Sequence, residues 1–427
     1  MRILIFSLFF YPEPIGISKY TGEMAFWLAA RDHEVEVITA FPNYPDWKVD
    51  PHYVHRSFHS EFVDKVRIYR TPVSISASHR VTTKQRIALE IQFAINSLRF
   101  WIPVLLFKRY DVVFAVCPPT QLGLFPCIYS FLRRTPWIFH VQDLQADAAL
   151  RLGMINGGWG QLLYKFEYWL LRKATRVSTI TEAMRRHIVG KGIPAENVWL
   201  FPNWSDISTI RPSTRENSFR KRFRFTDNQT VFMYAGNMGE KQGLELVIRA
   251  ASHFQDMPDI QFVMVGNGAA RQRLELLGNE KKLNNVHFLA VQPVELLSEL
   301  LASADVHMII QKPQVADFVM PSKLTNILAA GRPVIATAEE GTTLQSILVA
   351  NGAGRVIDPE DLQAFIKAVL LLHNSLDLRE ELGKNARQYA EEFMDKERIL
   401  SSFEAQLMTF LEGRGRQNVM QVRKGLL

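Results

Sequence analysis

Short apolar, β-rich runs alternate with longer stretches of helical period along almost the whole chain. In the first half the strand-like runs are residues 2–10, 34–39, 66–69, 111–116, 137–141, 177–180 and 198–201. Helical patterns fill 18–31, 82–107, 121–133, 160–173 and 182–189. Strands separated by helix-sized connections must pair in parallel through right-handed crossovers, which predicts an α/β sheet covered on both faces. The rhythm breaks at 202–225, where Arg211-Pro212-Ser213-Thr214-Arg215 reads as linker and Arg220, Lys221, Arg222 and Arg224 form a basic run. It restarts with strands at 230–235, 260–265, 286–289, 306–310, 333–336 and 355–357. Helices are expected at 244–254, 269–277, 293–302, 322–330, 344–349 and 362–373. The pattern predicts two Rossmann-like domains, 1–205 and 229–377, joined by a linker over 206–228. A helical tail at 378–412 and a basic tail at 413–427 follow. In open parallel sheets ligands sit at the carboxyl ends of strands, so the chemistry is expected in those loops, in a cleft between the domains.

A chain of 427 residues, 47% hydrophobic and 22% charged, has enough material for two or three domains and excludes a disordered or disulfide-stapled class. The two cysteines, Cys117 and Cys127, sit in apolar runs and imply a reducing compartment. The formal charge of +7 leaves nucleic acid, an anionic membrane face and phosphorylated substrates all open. The first apolar run lacks a cleavage site and is followed by Pro12-Glu13-Pro14, so it reads as a buried strand rather than a secretory signal. Residues 87–107 reach membrane-spanning length, yet Glu90, Gln92, Asn96, Arg99 and Pro103 interrupt them. What remains is an amphipathic helix flanked by Arg80, Lys84, Arg86, Lys108 and Arg109, suited either to an anionic leaflet or to core packing.

Three strand-to-helix turns carry glycine: the Gly16 loop, the stretch Gly236-Asn237-Met238-Gly239-Glu240-Lys241-Gln242-Gly243, and Gly266-Asn267-Gly268. Such turns offer backbone N–H groups and a positive dipole end to phosphate, and Lys241 adds a charge. None fits a dinucleotide fingerprint or a Walker pattern. No Asp-x-Asp pair occurs, so no metal–diphosphate clamp of that type, and no metal, is expected. His140, Gln142, Asp143 and Asp147 follow from an apolar strand into a loop, as cleft-facing groups would; an N-cap at Asp143 and a satisfied His140 are the plainer alternatives. A last polar string runs from Asp317 through Pro321, Ser322, Lys323 and Asn326 to Gly331. Ser322 caps a short helix there, with Asn326 one turn along on the same face.

The order of these motifs resembles the retaining GT-B glycosyltransferases of the large group 1 (family 4-type) family, especially bacterial exopolysaccharide and colanic-acid-type enzymes. The closest echoes are Tyr20-Thr21-Gly22-Glu23-Met24, Phe201-Pro202-Asn203-Trp204-Ser205, Gly239-Glu240-Lys241-Gln242-Gly243 and Ser322-Lys323-Leu324-Thr325-Asn326-Ile327-Leu328-Ala329, and the resemblance spans about residues 1–410. It implies two Rossmann-like domains facing across a cleft, acceptor binding by the first and nucleotide-sugar binding by the second, with the helical tail returning toward the first. The donor is expected to be a GDP- or UDP-linked hexose held by Gly16, Gly236, Asn237, Gly239, Gln242, Gly266, Gly268, Asp317, Ser322, Lys323 and Asn326. Three departures from the family stand out. Asn237 stands where an Arg is frequent. Gln242 takes the phosphate-binding Lys position, with Lys241 one residue early. Phe318 and Asn326 replace the usual Glu pair. The resemblance further implies transfer with retention, without a metal or other cofactor, in which Lys241 stabilises the leaving diphosphate and Asp143 and His140 orient acceptor or sugar.

A nucleotide-sugar 2-epimerase shares this architecture, and the missing Glu pair also fits a non-catalytic glycan-binding subunit of a polysaccharide assembly. Nucleic acid is disfavoured because the basic residues are dispersed and no recognition helix or zinc pattern appears. The charge surplus instead suggests a cytoplasmic protein attached peripherally to the inner face of the plasma membrane, where a lipid-linked glycan acceptor would be presented.

Overall fold

The computed structural model of the chain describes residues 1–13, 16–43, 47–74, 82–144, 158–313 and 322–424. The chain divides into two compact units, Met1–Pro202 with Glu397–Leu427, and Asn203–Lys396.

The first unit carries strands β1 (Arg2–Phe6), β2 (Glu34–Ala40), β3 (His59–Val63), β4 (Val66–Thr71), β5 (Val112–Cys117), β6 (Trp137–Val141), β7 (Arg176–Thr179) and β8 (Val198–Leu200). Its helices are α1 (Ile17–Ala30), α2 (Thr83–Phe107), α3 (Leu124–Arg133), α4 (Gly158–Lys173) and α5 (Glu182–Gly190). The strands form one sheet in the order β3-β4-β2-β1-β5-β6-β7-β8. All pairs are parallel except β3–β4. β5 and β6 are buried at every position, as expected of strands covered on both faces. The antiparallel edge strand β3 is absent from the expected pattern. Its residues alternate between half-buried and exposed, and its hairpin turn uses Asp64 and Lys65, both at positive φ, without the glycine that marks such turns. One face packs Phe6 against Phe93, Trp101 and Phe125.

The second unit has strands β9 (Thr230–Ala235), β10 (Ile260–Val265), β11 (Val286–Leu289), β12 (Val306–Ile309), β13 (Val334–Thr337) and β14 (Gly354–Ile357). They form a wholly parallel sheet in the order β11-β10-β9-β12-β13-β14. The helices are α6 (Ser218–Phe223), α7 (Glu245–His253), α8 (Arg271–Glu280), α9 (Leu297–Ser303), α10 (Ser322–Ala329), α11 (Thr343–Ala350), α12 (Leu362–Asn374) and α13 (Leu376–Phe393).

Two expectations from the chain pattern change here. The stretch expected as linker and basic run is built into the second unit. Asn217 caps α6, and Arg220, 3% exposed, donates to Asp305 Oδ2 at 2.9 Å and to three backbone carbonyls. Arg215 meets the other oxygen of Asp305 at 2.7 Å, so these cations serve the fold. The region expected as one helical tail is two helices in different units. α13 belongs to the second, whereas α14 (Lys396–Lys424) belongs largely to the first. There Trp27 and Arg31 donate to Glu397 and Glu404 at 2.8 Å each, and Phe403 stacks on Phe201 with ring centroids 3.8 Å apart. α14 thereby covers the sheet face opposite α2.

Candidate functional site

In the second unit the strand order reverses between β9 and β12, the switch point at which an open parallel sheet splays its loops apart. The Gly236–Gly243 turn leaves β9 there and the Gly266–Gly268 turn leaves the neighbouring β10. The two turns lie backbone against backbone: Met238 N donates to Asn267 O at 2.7 Å, and Ala270 N to Met238 O at 2.9 Å. A Cβ on Gly266 would lie 2.0 Å from Gly236 O, and one on Gly268 2.4 Å from Met238 O. Both glycines also hold φ near +140 to +150°, so this close approach excludes side chains on two grounds. Arg271 locks the second turn by donating to the carbonyls of Gly266 (2.6 Å) and Leu289 (3.0 Å).

Three lysines surround this double turn. Lys323, in the first turn of α10, sends its Nζ to within 2.7 Å of where a Cβ on Gly236 would be, and 3.9 Å from the centroid of the Tyr234 ring. Among the described residues no carboxylate pairs with it, and burial pulls its ammonium down to about 7. Tyr234 is fully buried and donates its hydroxyl to Asn237 O at 2.6 Å, stiffening the turn's first residues. Lys312, just beyond β12, packs its stem against Gly243, and its N–H donates to Lys241 O at 3.0 Å. Lys241 itself is exposed. Gln242 folds back, accepting from Gly239 N at 3.0 Å, and so closes the turn. Asn326 Oδ1 accepts from Ser205 Oγ at 2.9 Å, tying α10 to the buried start of the unit. Ser322 opens α10; Asp317, Phe318 and Pro321 lie outside the described residues.

In the first unit the strand order reverses between β1 and β5. Gly16 ends the loop after β1 as the N-cap of α1, at φ 62°, with open space where a Cβ would stand. Glu13 pins that loop: its carboxylate accepts from Ser18 Oγ and from Asn43 N (2.8 Å), joining the turns after β1 and β2. Asp143 is half-buried in the loop leaving β6; Asp147 lies outside the described residues. His140 is not the loop-facing group its position suggested. It is 5% exposed within β6, its Nδ1 lies 2.9 Å from Ser178 Oγ, and its ring packs on Phe201. Burial holds it down to about 4, so it is a neutral core residue.

Residues 16–204 match the Glycosyl transferase 4-like domain, and residues 215–389 match the Glycosyl transferases group 1 family. WcaI of Escherichia coli (strain K12), named as a colanic acid biosynthesis glycosyl transferase, is 36% identical over 417 residues, covering 94% of this chain and 98% of that one. The chain belongs to the group 1 glycosyltransferases. Solved structures of similar fold include sucrose-phosphate synthase from Thermosynechococcus elongatus, with a TM-score of 0.74 at 17% identity over 96% of this chain and 99% of that one. Anabaena HepE in complex with UDP superposes with a TM-score of 0.72 at 16% identity, over 96% and 100% of the two chains. The same protein in complex with UDP-glucose gives 0.70. The fold of this glycosyltransferase is therefore GT-B: two Rossmann-like domains and a C-terminal helical tail.

Of the residues expected to form the site, Gly236, Asn237, Gly239, Lys241, Gln242, Gly266, Gly268 and Lys323 come together in one loop cluster of the second unit. Gly16 and Asp143 lie at carboxyl ends of strands in the first. Lys312 and Glu13 were missed as site residues. Each lies in the loop that follows a buried strand, the same placement that singled out Lys241 and Asp143.

Proposed function

We propose that this glycosyltransferase moves a hexose, with retention of configuration, from a GDP- or UDP-linked donor to a lipid-linked oligosaccharide in bacterial exopolysaccharide or cell-surface polysaccharide synthesis. The observation that carries the donor reading is the packed pair of glycine turns with Lys323 Nζ against Gly236. The N–H groups of Gly236, Met238, Gly239, Gly266 and Gly268 already donate within or beside the turns, so the turns supply a close approach, and the ammonium, lacking a described carboxylate partner, supplies the charge that suits a diphosphate, the part common to every nucleotide-sugar. The UDP and UDP-glucose complexes of HepE support that ligand class, and the name of WcaI supports the exopolysaccharide setting.

In this reading the anomeric C–O bond to the diphosphate breaks as an acceptor hydroxyl oxygen bonds to the same carbon on the same face, and the departing phosphate takes the hydroxyl proton. Lys323, with Lys241 and Lys312, supplies the positive charge that the leaving phosphate needs, a role that asks no metal of the protein. Asp143 orients the acceptor or the sugar. Asn326 keeps its amide nitrogen for the ribose while Ser205 holds its oxygen. The protein works at the inner face of the cytoplasmic membrane, where a lipid-linked acceptor is presented.

The test is to incubate the protein with a panel of nucleotide-sugars, with and without a bacterial lipid extract, and to follow nucleoside diphosphate release and product anomeric configuration by NMR. Extract-dependent release with retention is expected. Sugar interconversion without an acceptor would point to an epimerase, and donor binding without release to a non-catalytic subunit.

A further inference from the structure

Helix α2 has two apolar faces. One is buried, with Leu89, Phe93, Trp101 and Val104 packed into the core of the first unit. The other carries Ile87, Ile91, Ile95, Leu98, Ile102 and Leu106, each 40–60% exposed. Their spacing of three and four residues aligns them in a single stripe about 30 Å long. Helix α3 lies beside the second half of α2: Trp101 stacks on Phe125 at 5.7 Å, and the Arg133 guanidinium donates to the carbonyls of Leu105 (2.7 Å) and Leu106. It extends the stripe with Ile128, Leu132 and Phe131, the last 83% exposed. Soluble surfaces seldom leave so long an apolar run uncovered. Glu90, the single acid of α2, is buried beneath Arg86, whereas Lys84, Arg99, Arg109 and Arg134 are exposed along the two helices or at their ends. Lys108, expected on this basic flank, turns inward to Glu36 at 2.6 Å.

We propose that the α2–α3 face docks on an anionic lipid bilayer, its apolar stripe entering the boundary between headgroups and acyl chains while the bordering cations meet acidic headgroups. The helix is long and apolar enough to cross a membrane, but crossing would strip Phe93 and Trp101 from their contacts with Phe6. A self-dimer through the same face would bring two basic borders together, which like-charge repulsion opposes. The proposal deepens the membrane-side reading above and rests on it only for which membrane is met. Vesicle binding needs no substrate, and turnover on a water-soluble acceptor needs no vesicle, so the two readings fail separately.

The experiment is flotation of the full-length protein with vesicles of phosphatidylcholine alone, or with about one third phosphatidylglycerol. The protein is expected to float with the mixed vesicles, to float poorly with phosphatidylcholine alone, and to be partly released by high salt. Ile95→Ser with Ile102→Ser should weaken binding about tenfold or more while leaving the melting temperature unchanged. Lys84→Glu with Arg109→Glu should weaken binding to the mixed vesicles alone. Leu276→Ser, an equally exposed leucine of the second unit, should change nothing. Wild-type protein that ignores mixed vesicles, or a double serine variant that binds like wild type, overturns the proposal. So does a wild-type dimer in sedimentation that the serine variant converts to monomer without any vesicle binding.

Discussion

Lys323 Nζ lies 2.7 Å from where a Cβ on Gly236 would stand, so the ammonium occupies the space that any other residue at 236 would take. Gly236→Ala therefore pushes on the flexible end of a lysine rather than on backbone, and it also meets a φ of 147°. The expected cost to stability is about 1–3 kcal/mol. Displacing the ammonium from the turn is expected to weaken nucleoside diphosphate binding about tenfold or more. Thermal melting and a UDP or GDP titration of the variant measure both.

Lys323 also sets a pH dependence. With its ammonium pulled down to about 7 by burial, the free protein loses that charge as pH rises through neutrality. A bound diphosphate favours the charged form, so donor affinity is expected to be full below pH 7 and to fall toward pH 9, by at most about tenfold per pH unit. Lys323→Arg, whose guanidinium stays charged, should flatten the profile. An unchanged slope in that variant would remove Lys323 from the explanation.

Asp305 is the electrostatic anchor of the segment between the two sheets. Burial pushes its carboxyl up, but Arg220, the Val231 N–H and Arg215 together hold it below the usual carboxylate range. A depressed carboxyl stabilises the fold above its unfolded value and loses that contribution as pH falls through the folded one. Asp305→Asn leaves Arg220 buried without its counter-charge and is expected to cost about 3–5 kcal/mol in urea unfolding near neutral pH. The wild-type advantage over this variant should shrink as the solution is acidified.

His140 and Asp143 stand three residues apart and are expected to behave oppositely. His140→Phe should leave turnover within about threefold, because the ring is core packing rather than chemistry. The histidine is held near 4 when folded, so the unfolded chain binds the extra proton between about pH 6.5 and 4, and stability falls with acid across that window. The variant should lose that part of the acid sensitivity. Asp143→Asn should cut turnover about a hundredfold with little change in melting temperature. The reverse pattern in paired turnover and melting measurements would exchange the two assignments.

Much of the architecture is legible in the chain because both sheets are parallel: strands buried on both faces read as unbroken apolar runs, and helices separate them. β3 escapes because an edge strand with one wet face and a glycine-free turn carries neither mark. The glycine turns are legible as strand-to-helix turns, but their mutual packing is not, since Gly266 and Gly236 are thirty residues apart and meet only through β9–β10 pairing. Lys323 illustrates the same gap. It is visible as a lysine near a helix start, yet its approach to Gly236 depends on α10 and β9 meeting in the folded unit. His140 shows the opposite failure. Position along β6 gives it a face, but only the docking of Phe201 and Phe403 shows that this face is covered.

The most direct test of the donor site is an equilibrium titration of UDP and GDP into the full-length protein and its Lys323→Met variant, at pH 6.5 and without added metal. Saturable binding of at least one nucleotide, weakened about tenfold or more by Lys323→Met with the melting temperature retained, is the predicted result. Absence of nucleotide binding by the folded wild-type protein, or equal affinity in the variant, would contradict it.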